Sequence, residues 1–533
     1  MLIHTRSVNH KTFDVWRNPD RFTKNPDLVQ LPSGQLMFVY ADTDAHWARE
    51  NVVLTLIASD DQGRTWYKLN EVARADLPQD ERLVTPRLSC LSDGRLVVIC
   101  DHDDYGHFHE EQPSGNWAWW SDDSGRTWSK PRVTGIEGFE PDRILELPDG
   151  TLGVATHLML SQSQSFADIL SVSEDRGRSW KRRSVIAHDG YHFFCEGAIV
   201  LLGGNRLACV LRENHSAGIP SFVAFSDDCG YTWSEPKMCP FALHRPYAKQ
   251  LGDGRVFVTG RHVNGGLGTY GWCGDLEAEA GQWVVGGPRR KYAAELTDSA
   301  LVITNQPAHE CRYSLLPPES SSSEVLFEAV LMVEGASGEP AAFMSVSTHQ
   351  WGEGPLVLYM GSDWIGFSVD RPDKKKYLDM TRERLVSIRH CNGLVQVVVD
   401  GDVVMSGCCR KGGAVPMDFW GGRPERRTQF GQIGDQGKSA WSRVRYQVKN
   451  PTLSDAAWEW NASGGKWPDQ YQRKRLIQIH GNHPDRKGAP DGGYSSWVVL
   501  EDGRILFVDY TNVGDEHKRS HIVGVSIDPE DIA

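Results

Sequence analysis

Positive charge is in short supply: 57 lysines and arginines face 70 aspartates and glutamates, leaving a net charge of −13 over 533 residues. That balance argues against nucleic acid and against an anionic membrane surface as partners. No apolar run is long enough to span a bilayer. The opening MLIHTRSVNHKTFDVW lacks a basic segment followed by an apolar one, so the chain reads as cytoplasmic or as a trimmed secreted protein. There is no Cys-x-x-Cys pair to suggest zinc. The 11 cysteines are odd in number and lack paired spacing; Cys408 and Cys409 are adjacent, while Cys100, Cys195 and Cys209 sit inside apolar runs. Buried free thiols in a reducing compartment are the expectation. Helix signals are scarce, and neither a phosphate-cradling glycine loop nor a Gly-x-Ser-x-Gly elbow occurs.

What the chain does have is repetition. Ser59 to Trp66, Ser121 to Trp128, Ser173 to Trp180 and Ser226 to Trp233 each fit Ser-x-Asp-x-Gly-x-Thr/Ser-Trp. The third-position carboxylates (Asp61, Asp123, Asp175, Asp228) can accept backbone N–H bonds, and the glycine two residues later supplies a positive φ. The closing tryptophan suits burial between sheets. These residues are read as structural. A second repeat, strand, glycine turn, strand, recurs in LVQLPSGQLMFVY, LSCLSDGRLVVIC, ILELPDGTLGVAT, IVLLGGNRLACVL, AKQLGDGRVFVTG and WVVLEDGRILFVD.

The eight-residue motif resembles the Asp-box, or BNR repeat, of the sialidase-like β-propeller family. The fold it implies, with six strand-turn-strand units, is an all-β, six-bladed β-propeller. The turn glycines run evenly from Gly34 to Gly254 and then jump to Gly503. Between them, strands such as SEVLFEAVLMVEG and LVSIRHCNGLVQVVVDGDVVMSG alternate at period two, as an antiparallel sandwich does. The turn VVVDGDVV and FGQIGDQGKSAWSRVRYQV resemble concanavalin-like, laminin-G-type jelly rolls. The expected division is therefore propeller over 1–275, jelly-roll insert over 276–451 and propeller completion over 452–533. The insert suits sugar binding as well as it suits packing or homo-oligomer formation.

Counting from each turn glycine superposes the units. Just ahead of the innermost strand's apolar part, where propellers bind ligands, stand Lys24 and Asp27, Arg87, Glu140, Asp142 and Arg143, Glu196, His244 and Arg245, and Tyr494. Eight residues after the glycine stand Asp42, His102, Leu158, Arg212, His262 and Thr511. Charges gathered at one end of a closed architecture are costly unless they pair or bind something, and a ligand site is the expectation.

Two segments resemble sialidases more closely. Cys195-Glu196-Gly197 followed by VLLGGNRLACVL and Arg212 is similar to the family's glutamate and second arginine, and Gly493-Tyr494-Ser495-Ser496 is similar to its Gly-Tyr-Ser strand. The resemblance implies Tyr494 as nucleophile and Glu196 as its activating base, the phenol being a poor nucleophile until a carboxylate accepts its proton. Lys24 replaces the family's first arginine, and no arginine stands near Leu267 to Tyr270 for the third; Arg245 or Arg261 is the substitute. In the loop before the first Asp-box, Asp44 is the candidate acid, with Glu50 and Asp42 behind it.

Among other clusters, Asp101 to Glu111 is dense in carboxylates and histidines, with His107 and His109 on one face of an extended segment. The favoured reading is a solvated loop, with His102 touching substrate, and no metal or cofactor is expected. His480, His483, Asp485, Arg486 and Lys487 lie in a loop that would overhang the mouth. The leading expectation is a retaining exo-glycosidase for an anionic carbohydrate held by Lys24, Arg87, Arg143, Arg212, Arg245, His102 and His262. The rivals are a uronate lyase, using His102, His262 and Tyr494, and a non-catalytic carbohydrate-binding protein.

Overall fold

The computed structural model describes residues 6–533 apart from 46–50, 76–82, 103–114, 161–164, 191, 215–219, 264–267, 283, 289–290, 316–322, 336, 347–355, 371, 392–393, 409–427, 451–454, 482–491 and 514–518. Glu50, His107, His109, His483, Asp485, Arg486 and Lys487 lie outside the described residues. The fold is all-β; the α-helices among the described residues are Leu276–Glu279 and Gln470–Arg475, and neither is long and apolar enough to cross a membrane.

Six small sheets account for the repeats, antiparallel apart from the pairing of Arg6–Ser7 alongside Leu476–Gly481. The first runs Phe22–Gln30, Leu36–Thr43, Val52–Ser59 and Tyr67–Ala75, and the next three follow the same order with Val84–Cys90, Leu145–Glu146 and Phe194–Leu201 as their first strands. The fifth begins at Leu243–Gln250 and takes Leu476–Gly481 as its fourth strand, so the chain leaves it after Gly268–Gly274 and returns about two hundred residues later. The sixth begins at Ser496–Val499, and its outer strand is Thr12–Trp16 from the other end of the chain, paired with His521–Ile527.

Strands such as Leu36–Thr43 and Val52–Ser59 are buried at every residue, which is why they read as continuous apolar runs rather than as alternation. Each neighbouring pair of sheets shares its own apolar cluster, from Val29, Val39, Leu88 and Val98 between the first and second to Phe22, Leu36, Val498 and Val508 between the sixth and first. Side-chain staples bridge the innermost strands. Asp27 Oδ2 accepts Leu88 N–H at 2.8 Å, Asp142 Oδ2 accepts Ile199 N–H at 3.1 Å and Ser496 Oγ accepts Leu28 N–H at 2.7 Å. Asp27 and Asp142 therefore serve the fold at least in part, each satisfying a buried donor that would otherwise cost about 1–3 kcal/mol.

The eight-residue turns behave as their composition dictates. Asp61 Oδ1 accepts Arg64 N–H at 3.0 Å and Thr65 N–H at 2.8 Å, and Asp175 makes the same pair. A Cβ on Gly63 would come within 2.6 Å of Leu506 in the sixth sheet, and one on Gly177 within 2.3 Å of Trp120 in the second, so each turn seats on the preceding sheet through a glycine at positive φ. The four tryptophans are half-buried rather than fully enclosed. Bonds from Thr65 and Thr127 hold the Asp61 and Asp123 carboxyls down at about 2. Because these folded-state values lie below the unfolded ones, the contribution is complete above about pH 4 and is lost as pH falls toward about 2. Thermal scans across that interval should show a falling melting temperature, with a shallower fall in the Asp61→Asn/Asp123→Asn double variant.

Between the third and fourth strands of the fifth sheet the chain builds two larger sheets, of eight and six strands, over one shared core that includes Phe327, Leu331, Met344, Leu358, Phe430 and Trp441. Alternation is clean here: Glu324–Glu334 buries every second residue. Pairing in the larger sheet continues past Pro451, since Ala456–Asn461 pairs with Lys438–Lys449. None of the cysteines with described surroundings forms a disulfide among the described residues; Cys90 is half-buried and Cys391 exposed, and the others are buried.

Candidate functional site

The site is made by a bulge that repeats. In the first strand of four small sheets the register slips between Lys24 and Asp27, Val84 and Arg87, Cys195 and Ala198, and His244 and Tyr247. At each slip a non-glycine residue takes positive φ: Asn25 at 55°, Thr85 at 52°, Glu196 at 51° and Arg245 at 51°, with Glu140 at 49° just ahead of the third sheet's first strand. Bulges re-aim side chains, and positive φ in such residues is strain that surrounding bonds must hold. Those bonds are visible. Glu140 N–H reaches both oxygens of Asp101 (2.9 and 2.8 Å), Glu196 N–H reaches His157 Nδ1 (3.3 Å) and Gly197 N–H reaches Asp168 Oδ2 (3.0 Å). In the sixth sheet Gly493, at φ 90°, donates to both oxygens of Asp509 and presents Tyr494.

The bulge at Glu196 and the positive-φ Gly493 bring Tyr494 and Glu196 together: the phenol donates to Glu196 Oε1 at 3.3 Å. Arg212 Nη1 donates to Glu196 Oε2 at 2.7 Å, and Arg245 Nη1 lies 4.0 Å from Oε1. The Arg245 and Arg261 guanidinium carbons stand 5.7 and 5.1 Å from the Tyr494 ring centroid. Arg261 is anchored through Nε to Gly492 O at 2.7 Å, while its Nη2 is buried with no bond among the described residues.

Burial alone would raise the Glu196 carboxyl, but Arg212 and Arg245 outweigh it and hold the group well below the usual carboxylate range. Partial burial, then the neighbouring Glu196 charge, displaces the half-buried Glu140 carboxyl upward. Burial, then the Glu196 charge, pushes the Tyr494 phenol up to about 12. Burial takes His157 down to about 3, so it is neutral. The cluster thus holds an ionised carboxylate, a neutral phenol and a carboxyl biased toward its protonated form within one ring of arginines, a combination suited to moving a proton.

The remaining expected residues lie at varying remove. Arg87 Nη1 is 3.8 Å from Asp27, and both side chains are buried. Arg143 donates to Ala248 O at 3.0 Å and Ile199 O at 3.4 Å and stacks 4.2 Å from the Tyr247 ring, bonds that tie it to the inner strands. Lys24 is buried in the first strand. Asp44 is half-exposed and paired with Arg21 and Asn51, neither of which is bonded to Tyr494 or Glu196. His102 stacks 3.5 Å from Trp117, and His262 lies 4.4 Å from the Tyr270 ring.

Glu140 was placed at the rim by counting, without a role, and His157 was missed. The reason is a one-residue slip. The backbone bond from Leu202 N–H to Arg206 O matches that from Leu31 N–H to Gln35 O, so Asn205, not Gly204, corresponds to Gly34. Arg212 then stands seven residues after the turn position rather than eight, and the same rank elsewhere holds Asp101, His157 and Arg261. Side chains alternate faces along a strand, so counting eight selected His102 and His262 on the other face.

Among the described residues no group of three or more histidines, cysteines, aspartates or glutamates could hold a metal ion.

The chain matches the profile of the BNR repeat-like domain over residues 4–138 and 106–339, more than half its length. A search of curated proteins returns no match. Solved structures with a similar chain path include a protein of unknown function from Dyadobacter fermentans (17% identity, 57% of this chain and 93% of that one, TM-score 0.43). A Hadza microbial sialidase follows (17% identity, 53% and 63%, TM-score 0.41), as does a Trypanosoma rangeli sialidase mutant displaying trans-sialidase activity (12% identity, 85% and 96%, TM-score 0.35).

Proposed function

Since this chain belongs to the BNR repeat-like domain family, we propose that it is a retaining, exo-acting glycoside hydrolase of the sialidase-like kind, releasing a terminal acidic sugar from a glycan. Tyr494 is the nucleophile and Glu196 its base. The observation that carries this reading is the hydrogen bond of 3.3 Å between these two side chains, 298 residues apart in sequence, under the guanidinium groups of Arg212 and Arg245. Staples and shared cores that join six sheets in succession, and the sixth to the first, support a six-bladed β-propeller with this pair at its mouth. The two larger sheets support a concanavalin-like insert between 276 and 451, carried on to Asn461 by the pairing of its last strand.

In this reading the phenol attacks the anomeric carbon while Glu196 takes its proton. A neutral phenol does not repel an anionic sugar as a carboxylate nucleophile would. Arg212, whose side chain is 16% exposed, is more open than Arg245 at 2%, and with Arg245 and Arg261 it would clamp the sugar's carboxylate. Lys24, Arg87 and Arg143 add positive potential deeper in the axis.

The test is a panel of chromogenic glycosides of acidic and neutral sugars, with the first-formed anomer read by proton NMR. Turnover of an acidic glycoside with retention is expected, and Glu196→Gln should lower it by about 10²- to 10⁴-fold. Absorbance of an unsaturated product would instead mark a lyase. Glycan binding that survives Glu196→Gln without turnover of any substrate would mark a binding protein.

A further inference from the structure

A phenol nucleophile and its base leave the departing oxygen without a proton, and the second carboxyl at the site is placed to supply one. Resting on the hydrolase reading above, we propose that Glu140 shares a single proton with Glu196 and is the group that hands it to the leaving oxygen, in place of the loop aspartate Asp44. Four observations place it there. Its backbone is pinned on both sides, N–H to both oxygens of Asp101 and C=O to Arg245 Nη1 at 3.3 Å. Glu140 and Glu196 meet the same two groups, the His157 ring and the Arg245 Nη1 that lies 4.0 Å from Glu196 Oε1, and neighbouring carboxylates in such a site do not both ionise. His157, neutral and accepting Glu196 N–H at Nδ1, carries its own proton on Nε2, 3.9 Å from Glu140 Oε2. Finally, the Glu140 side chain is 20% exposed while that of Glu196 is 1% exposed, so of the two it is Glu140 that a substrate can reach.

Arg212 and Arg245 hold Glu196 ionised, which leaves the shared proton on Glu140 at rest. In the first half-reaction the Tyr494 Oη–H bond breaks and its proton goes to Glu196. Oη bonds to the anomeric carbon, the glycosidic C–O bond breaks, and the departing oxygen takes the Glu140 proton. The pair still holds one proton, now on Glu196. In the second half a water gives its proton to the Glu140 carboxylate and its oxygen to the anomeric carbon, while the departing phenolate recovers its proton from Glu196. The pair ends as it began, and the sum is hydrolysis with retention.

The test uses the full chain as wild type, Glu140→Gln, Glu140→Asp and Asp44→Asn. On the glycoside turned over in the panel, Glu140→Gln should lose about 10²- to 10⁴-fold with an alkyl leaving group and far less with a 4-nitrophenyl one, which departs without help. Glu140→Asp should recover part of the loss. Equal losses on both leaving groups, or leaving-group dependence in Asp44→Asn and not in Glu140→Gln, would overturn the assignment. Infrared difference spectra at neutral pH test the shared proton without turnover: a protonated carboxyl band is expected in wild type minus Glu140→Gln, where buried carboxyls common to both, such as Asp168, cancel. Absence of that difference band refutes the shared proton even in an active enzyme. The groups facing Glu140 that could move this band with pH are Glu196, His157, Asp101 and Arg245, with Arg212 and Tyr494 acting through Glu196. If wild type cleaves no glycoside at all, the hydrolase reading falls and the donor role with it, while the infrared result still decides whether the proton is shared.

Discussion

Replacing Tyr494 by phenylalanine is expected to lower kcat/KM by about 10³-fold or more, the scale on which nucleophile removal acts, while leaving the fold intact. The substitution deletes one oxygen and keeps the ring, which packs at the edge of the cluster formed by Tyr40, Val508 and Tyr510. Its structural cost is one hydrogen bond of 3.3 Å to Glu196, worth about 1 kcal/mol. Glu196 keeps its stronger bond to Arg212 at 2.7 Å, so its charge remains compensated. Steady-state kinetics beside a thermal scan separate the two effects. Turnover within a few-fold of wild type would remove Tyr494 from the chemistry and with it the reading built on the pair.

Asp509→Ala should produce the largest loss of stability from a single polar group, about 3–5 kcal/mol, the range for breaking a buried charged network. Asp509 is fully buried and accepts Gly493 N–H at 3.0 and 2.9 Å, Tyr510 N–H at 2.8 Å and the Thr269 hydroxyl at 2.5 Å, with His480 Nε2 3.5 Å away. Alanine strands three donors in the interior. The bond to Gly493 also sets the backbone from which Tyr494 projects, so activity should fall in the protein that remains folded. Asp509→Asn, retaining one acceptor oxygen, should lose less. Chemical denaturation measures both, and a loss below about 1 kcal/mol for the alanine variant would show that the network is not what holds the backbone at Gly493 ahead of the sixth sheet.

Much of the architecture was legible because it is local and repeated. A Ser-x-Asp-x-Gly turn closes on itself within five residues, and the strand-turn-strand units carry their own glycines at positive φ, so both declare themselves wherever they occur. Glu196 and Tyr494 stood out because Cys195-Glu196-Gly197 and Gly493-Tyr494-Ser495-Ser496 resemble sialidase segments, and in the structure each stands nine residues before its turn position, as Arg245 does. Their neighbours did not. His157 was displaced by a single-residue error in matching one turn, because a period of two converts such an error into the wrong face, and Arg261 entered only as one of two substitutes for the third arginine. Arg143, a plausible clamp by charge and position, is committed to the carbonyls of Ile199 and Ala248.

The sequence alone determined the all-β class, the recurring units and the interruption after the fifth of them, since each is written in spacing along a short stretch, while the phenol and the carboxylate were singled out by the resemblance of their segments to sialidases. Only the tertiary structure decided that Thr12–Trp16 completes the last sheet, that the interrupted sheet is finished by Leu476–Gly481 and that Glu140 and Glu196 both reach His157. Those are meetings between segments distant in the chain. They are fixed by which buried donors need which acceptors once the sheets are packed, a condition that no local pattern of residues records.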